Sequence, residues 1–162
     1  MKTLRNQQRG FSLIELLIVV AIILIIASIA IPNLLRARMS ANEASAVSAV
    51  RTVNTAQISF NSAYPSAGYA TTLTMLGGTG CNPPSSAGAC LIDTQLASGT
   101  KSGYTFVLGG ASGTPTATYS IVASPVTPNQ TGTRYFCSFA DAVVRTSTAA
   151  IATCDGSIPP LQ

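Results

Sequence analysis

Residues 11–31 read FSLIELLIVVAIILIIASIAI, a run in which Glu15 is the only charge and Ser12 and Ser28 are the only other polar side chains. At about 1.5 Å per residue, a helix of this length spans roughly 30 Å, the thickness of a bilayer's hydrocarbon core. A core helix in a small protein needs one apolar stripe, and this run is apolar on all faces. It is therefore predicted to be a membrane segment.

The flanks set an orientation. Lys2, Arg5 and Arg9 precede the run without an acid among them, and Arg36 and Arg38 follow it. Three basic side chains plus the initiator amine against two favour a cytoplasmic N-terminus. A basic start followed by an apolar stretch also describes an ordinary secretory signal, and Ser28-Ile29-Ala30 offers a small-x-small cleavage site before Ile31. Two features weigh against that reading. The stretch exceeds the usual h-region of about 7–15 residues, and a secretory signal gains nothing from an acid near its start.

Composition narrows the rest. The chain has 162 residues, enough for one ordinary domain plus a tail, and at 47% hydrophobic and 9% charged it is not a disordered chain. Histidine is absent, which excludes Ser-His-Asp and Cys-His nucleophile pairs and HExxH zinc sites. Four cysteines among many Ser, Thr, Gly and Pro residues fit an exported, oxidised domain.

Arg9-Gly10-Phe11-Ser12-Leu13-Ile14-Glu15-Leu16-Leu17-Ile18-Val19-Val20 closely resembles the class III signal of type IV prepilins and type II secretion pseudopilins. Basic residues lead to a glycine, a phenylalanine follows, and a glutamate stands fifth after the cut. Pro32, twenty-second after the leader, also fits the family. The resemblance covers roughly residues 1–60. It implies that residues 1–10 are a leader removed by an inner-membrane prepilin peptidase between Gly10 and Phe11, and that the new Phe11 amine is methylated. It also implies a helical homo-oligomer assembled through residues 11–60 by inner-membrane pilus or secretion machinery. The fold expected is α+β, a long N-terminal helix packed against a small antiparallel sheet. With the leader removed, 9 − 3 = 6 basic residues face five acids, a side-chain balance of +1 against +4 for the whole chain. Basicity is then mainly a topology signal, and no nucleic-acid partner is inferred.

Glu15 carries its own physics. A carboxylate in hydrocarbon needs a partner or neutralisation. Cleavage before Phe11 would create an ammonium four residues ahead of it, expected on the same helix face and within reach of a neighbouring subunit. In a bundle of apolar helices such a pair would act as a registry device, because a subunit at the wrong height leaves a charge buried alone. Pro32 lacks a backbone donor and is expected to kink or locally melt the helix.

Beyond Pro32, helical periodicity resumes over residues 32–62. Met39, Ala46, Val47, Ala49, Val50, Val53, Ala56 and Phe60 make one side, with Arg36, Glu43, Ser48, Arg51 and Thr55 on the other. Asn61, Ser62, Pro65 and Gly68 are expected to end the helix. Residues 63–162 then form a loop-rich head. Residues 64–96 read as loop, and Gly77-Gly78-Thr79-Gly80 within them lacks the Lys-Ser/Thr of a phosphate loop. Strands are expected at 104–108, 118–123, 134–139 and 142–145, with a short one near 150–153, in an antiparallel meander of three to five strands broken at Gly109-Gly110, 125–132 and Ala140-Asp141.

Four cysteines permit three pairings. Sequential pairing, Cys81 with Cys90 and Cys137 with Cys154, is expected because each bond then closes one local loop. The second pair resembles the disulfide-bounded region of many pilins. Neither has CxxC spacing, and with only Asp93, Asp141 and Asp155 acidic in the head, no metal, cofactor or catalytic centre is expected. Asn129-Gln130-Thr131 is a formal N-glycosylation sequon. Three functions remain open: a type IV pilin, with the major pilin favoured; a type II secretion pseudopilin; and a secreted or membrane-anchored binding domain with an ordinary signal.

Overall fold

A computed structural model describes residues 11–78 and 83–161. The chain divides into two units, Met1–Ala37 and Arg38–Gln162. One helix, α1 (Leu13–Ala63), contributes residues to both. The sequence contains no glycine and a single proline over that span, so nothing but Pro32 opposes a long helix. Helical residues flank Pro32 on both sides. In the first unit the apolar side chains of α1 are exposed, from Leu13 through Leu35. An 18-residue window here has a mean hydropathy of 3.2 and no buried share, so α1 is long and apolar enough to cross a membrane.

The second unit is built on a five-stranded antiparallel sheet in simple meander order. Its strands are β1 (Thr100–Lys101), β2 (Tyr104–Ser112), β3 (Thr118–Pro125), β4 (Tyr135–Phe139) and β5 (Arg145–Ser147). Period-two alternation sends Tyr104 and Phe106, then Tyr119, Ile121 and Ala123, then Phe136 and Ser138, to the buried face. Along α1 the spacing of three and four sends Ala46, Ala49, Val50, Val53, Ala56 and Phe60 into the same core. The α+β architecture is therefore the one expected from sequence.

Several boundaries differ from expectation. β2 runs through Gly109-Gly110 to Ser112, because Gly110 takes φ +64° in a register irregularity between Gly109 and Ser112. This is a bulge inside a strand, not a break. The strand expected at 142–145 begins only at Arg145, since Ala142 turns the chain with φ +59°. Residues 150–153 form no strand. The region expected to be loop holds two one-turn helices, α2 (Leu73–Leu76) and α3 (Thr94–Ala97), whose first turns are capped by the Thr72 and Asp93 side chains. Their leucines Leu73, Leu76 and Leu96 are buried in the core. A four-residue helix has no periodicity to read.

The solvent-side face of the sheet is covered differently. Cys137, which points away from α1, is bonded to Cys154 with the Cα atoms 5.9 Å apart. The bond holds residues 151–156 over the outer face, leaving a groove of about 650 Å3 lined by Val107, Val122, Phe139 and Ile151 among others. The bond joins cysteines 17 positions apart in the sequence, a closure worth about 3 kcal/mol in the chain-entropy model. Cys137→Ser should therefore lower the head's unfolding midpoint in proportion, read by near-UV circular dichroism of the tyrosines. A midpoint unchanged from native would remove the disulfide from the list of stabilising elements. Cys90 is disulfide-bonded, whereas its expected partner Cys81 lies outside the described residues.

Candidate functional site

The start of α1 is organised around Glu15. Phe11 is 82% exposed and stands two residues ahead of the helix, which begins at Leu13. The Ser12 backbone N–H donates to Glu15 Oε2 at 3.0 Å, one half of a capping box with Ser12 as N-cap and Glu15 at the third helical position. The pattern Ser12-x-x-Glu15 carries this signal in the sequence, and the reading of Glu15 as a bare membrane carboxylate passes it over. Glu15 turns back to satisfy a helix-start donor and adds its charge where the helix dipole favours it. Gly10 lies outside the described residues. Further along, the Ser28 hydroxyl donates to the Ile25 carbonyl at 2.8 Å, so this polar group needs no external partner in an apolar medium. Four residues later Pro32 leaves the Ser28 carbonyl without its helical donor.

In the second unit the polar residues of α1 that face the head are more specific than periodicity implies. Glu43 is buried and not on the solvent side expected of a charged residue. Its Oε1 accepts from the Thr133 N–H at 2.8 Å, the Thr133 hydroxyl at 2.9 Å and the Arg134 N–H at 3.2 Å, and its Oε2 accepts from Arg134 Nε at 2.8 Å. Burial pushes the carboxyl up, but the Thr133 and Arg134 donors outweigh it and hold Glu43 below its ordinary value. Beside it the Asn42 amide donates to the Thr131 carbonyl at 2.9 Å. The helix thus fastens the segment between β3 and β4 at two adjacent residues.

Asn54 donates to the Ser138 hydroxyl at 2.9 Å and to the Ala142 carbonyl at 3.2 Å, and accepts from the Tyr119 hydroxyl at 3.1 Å. Burial raises the Tyr119 phenol to about 12. Gln57 exchanges two hydrogen bonds with the Ala70 backbone at 2.8 and 2.9 Å. Positions 43, 46, 50, 53, 54, 57 and 60 fall at spacings of three and four, with Asn54 inserted beside Val53. Assigning polar residues by angle and not by type would have found all three.

The head's acids are each engaged structurally. Asp93 caps α3 and meets Lys101 at 2.7 Å, and that hydrogen bond lowers its pKa. Burial raises the Asp141 carboxyl, while the Arg145 guanidinium at 2.6 Å helps to bring it below its ordinary value. Asp155 is lowered by the side-chain and backbone hydrogen bonds of Ser157. Among the described residues no group of His, Cys, Asp and Glu side chains is arranged to hold a metal ion. Asn129 sits in an exposed turn at φ +64°, and its sequon partner Thr131 is folded back on Thr127.

Comparison with known proteins finds one family model and two curated relatives. The model of the prokaryotic N-terminal methylation motif matches residues 5–31. The chain is 66% identical over 35 residues to the type IV wide pilus major component PilA4 of Thermus thermophilus, covering 22% of this chain and 27% of that protein. It is 48% identical over 54 residues to the type IV major pilin protein PilA of Myxococcus xanthus, covering 33% of this chain and 24% of that one. The chain thus spans about a quarter of the length of the curated relatives it matches. No solved structure gives a significant match. The methylation motif and the two partial pilin matches thus make this chain similar to type IV pilins over a part of its length.

Proposed function

We propose that the chain is a structural subunit of a type IV pilus-like filament, and its major pilin. The observation that carries this is the first half of α1, an apolar stretch with no buried share in its own chain, directly after a Gly-Phe junction and opened by a capping glutamate. So much exposed apolar surface calls for a bilayer first and neighbouring copies afterwards. In this reading, prepilin peptidase cuts between Gly10 and Phe11 and the Phe11 amine is methylated. The subunit waits in the inner membrane with its N-terminus on the cytoplasmic side. Inner-membrane assembly machinery then draws residues 11–60 into the core of a surface filament. Pro32, which cannot donate to the Ser28 carbonyl, is where α1 gives way on assembly. The head carries no cofactor in this scheme, and its role is to pack and to present surface.

The mature N-terminus is the deciding measurement. Mass spectrometry of the protein from its native membrane should find N-methylphenylalanine at Phe11. A chain beginning at Ile31 would mean an ordinary secretory signal and overturn the filament reading. Recovery in sheared surface filaments supports a pilin, whereas retention in the periplasm would assign the chain to a secretion pseudopilus.

A further inference from the structure

The six basic side chains that remain beyond residue 10 fall into two sets. Lys101, Arg134 and Arg145 are paired with Asp93, Glu43 and Asp141 at 2.7, 2.8 and 2.6 Å. Arg36, Arg38 and Arg51, all exposed on α1, enter no ion pair among the described residues. Carboxylates to match them are scarce. Three of the five acids are occupied by those pairs, Asp155 accepts two hydrogen bonds from Ser157, and Glu15 caps the far end of the apolar stretch. A second copy of this chain therefore has few free anions to offer.

A bilayer has many. Exposed apolar residues run from Phe11 to Leu35, and at about 1.5 Å per residue this is somewhat more than the roughly 30 Å of hydrocarbon. Arg36 and Arg38 then fall in the headgroup layer opposite Phe11. Two arginines on the flank that crosses the membrane also work against the orientation set by Lys2, Arg5 and Arg9, a cost that calls for a compensating contact. We propose that Arg36 and Arg38 bind the phosphates of anionic phospholipid headgroups, holding the unassembled subunit at a fixed depth. Guanidinium groups suit this role because their planar fork matches two phosphate oxygens. Arg51, more than three helical turns beyond Arg38 by the rise of an α-helix, is too far along α1 to share it.

This inference rests on the membrane reading of residues 11–35, and the test separates the two. The full chain is reconstituted into vesicles of equal phosphatidylglycerol and phosphatidylcholine, and the lipids that remain bound are counted by native mass spectrometry after release into detergent. Native protein should retain phosphatidylglycerol over phosphatidylcholine by at least about fivefold. Arg36→Gln/Arg38→Gln should lose that preference, Arg36→Lys/Arg38→Lys should keep much of it, and Arg51→Gln should leave it unchanged. Equal retention of the two lipids by native protein overturns the proposal, as does a preference that survives the double Gln variant. Filament loss in that variant with unchanged lipid counts also overturns it and assigns the arginines to a neighbouring subunit. Failure of native protein to float with the vesicles would instead overturn the membrane reading itself.

Discussion

Glu43→Ala should destabilise the head by about 2–4 kcal/mol, because it removes a buried acceptor that serves two backbone N–H groups, a hydroxyl and a guanidinium at once. Alanine offers none of these a replacement, and the Thr133 and Arg134 N–H groups are partly buried, so water substitutes poorly. Glu43→Gln should cost less. Its amide oxygen still accepts from Thr133 and the Arg134 N–H, and only the contact with Arg134 Nε meets a second donor. The measurement is the near-UV unfolding midpoint of the full chain in detergent, which reads Tyr104 and Tyr119 in the head and not the apolar half of α1. Equal midpoints for native and Glu43→Ala would mean that the carboxylate only breaks even with its desolvation.

The same group gives the head a pH dependence whose sign can be worked out. Glu43 is held below its unfolded value, so it contributes stability above the unfolded pKa and loses it as pH falls through the lower folded one. Asp93 and Asp141 are lowered too. Stability should therefore be flat near neutrality and fall as pH drops below the ordinary carboxylate range, about 4. Glu43→Gln should flatten part of that fall. An unaltered acid profile in that variant would show that the other carboxylates dominate.

How much of this was legible in the sequence depends on the length over which each signal repeats. The apolar run of residues 11–31 repeats one property for 21 residues, and strands such as Thr118–Pro125 alternate cleanly, so both can be read directly. α2 and α3 are single turns set by one capping side chain each, and no periodic signal exists at that length. β1 is two residues long and exists only because Thr105 and Tyr104 pair with it. The Gly109-Gly110 pair spells a turn locally, yet the ladder to β3 carries the strand through it. Residue type misleads at Glu43, where the charge of a carboxylate points to solvent although its angle on α1 matches Ala46 and Val50. At Glu15 the reverse holds. The charge draws attention to its cost in hydrocarbon, whereas the Ser12 capping box gives it a local partner.

That local partner sharpens what replacement of Glu15 should do. Two roles are now available to one carboxylate: it caps α1 through the Ser12 N–H, and it offers a charge to the Phe11 ammonium of its own or a neighbouring chain. Glutamine at the same position of a capping box still accepts from the N-cap N–H, so Glu15→Gln keeps the cap and deletes the charge, while Glu15→Ala deletes both. If the charge sets subunit register, both variants should be cut and methylated at Phe11 yet yield at least tenfold fewer sheared filaments. An ion pair in an apolar bundle is worth several kcal/mol against the same ammonium buried alone, and an error of one step in register pays that cost in every subunit. If the cap is what matters, Glu15→Gln should assemble nearly as well as native and only Glu15→Ala should fail, through fraying of the first turn by about 1 kcal/mol. Normal filament yield from both would remove Glu15 from assembly altogether. Because mature N-termini are measured on the same samples, a processing defect cannot be mistaken for an assembly defect. Charge-dependent loss is the expected result, since a cap worth about 1 kcal/mol is small beside an unpaired ammonium in hydrocarbon.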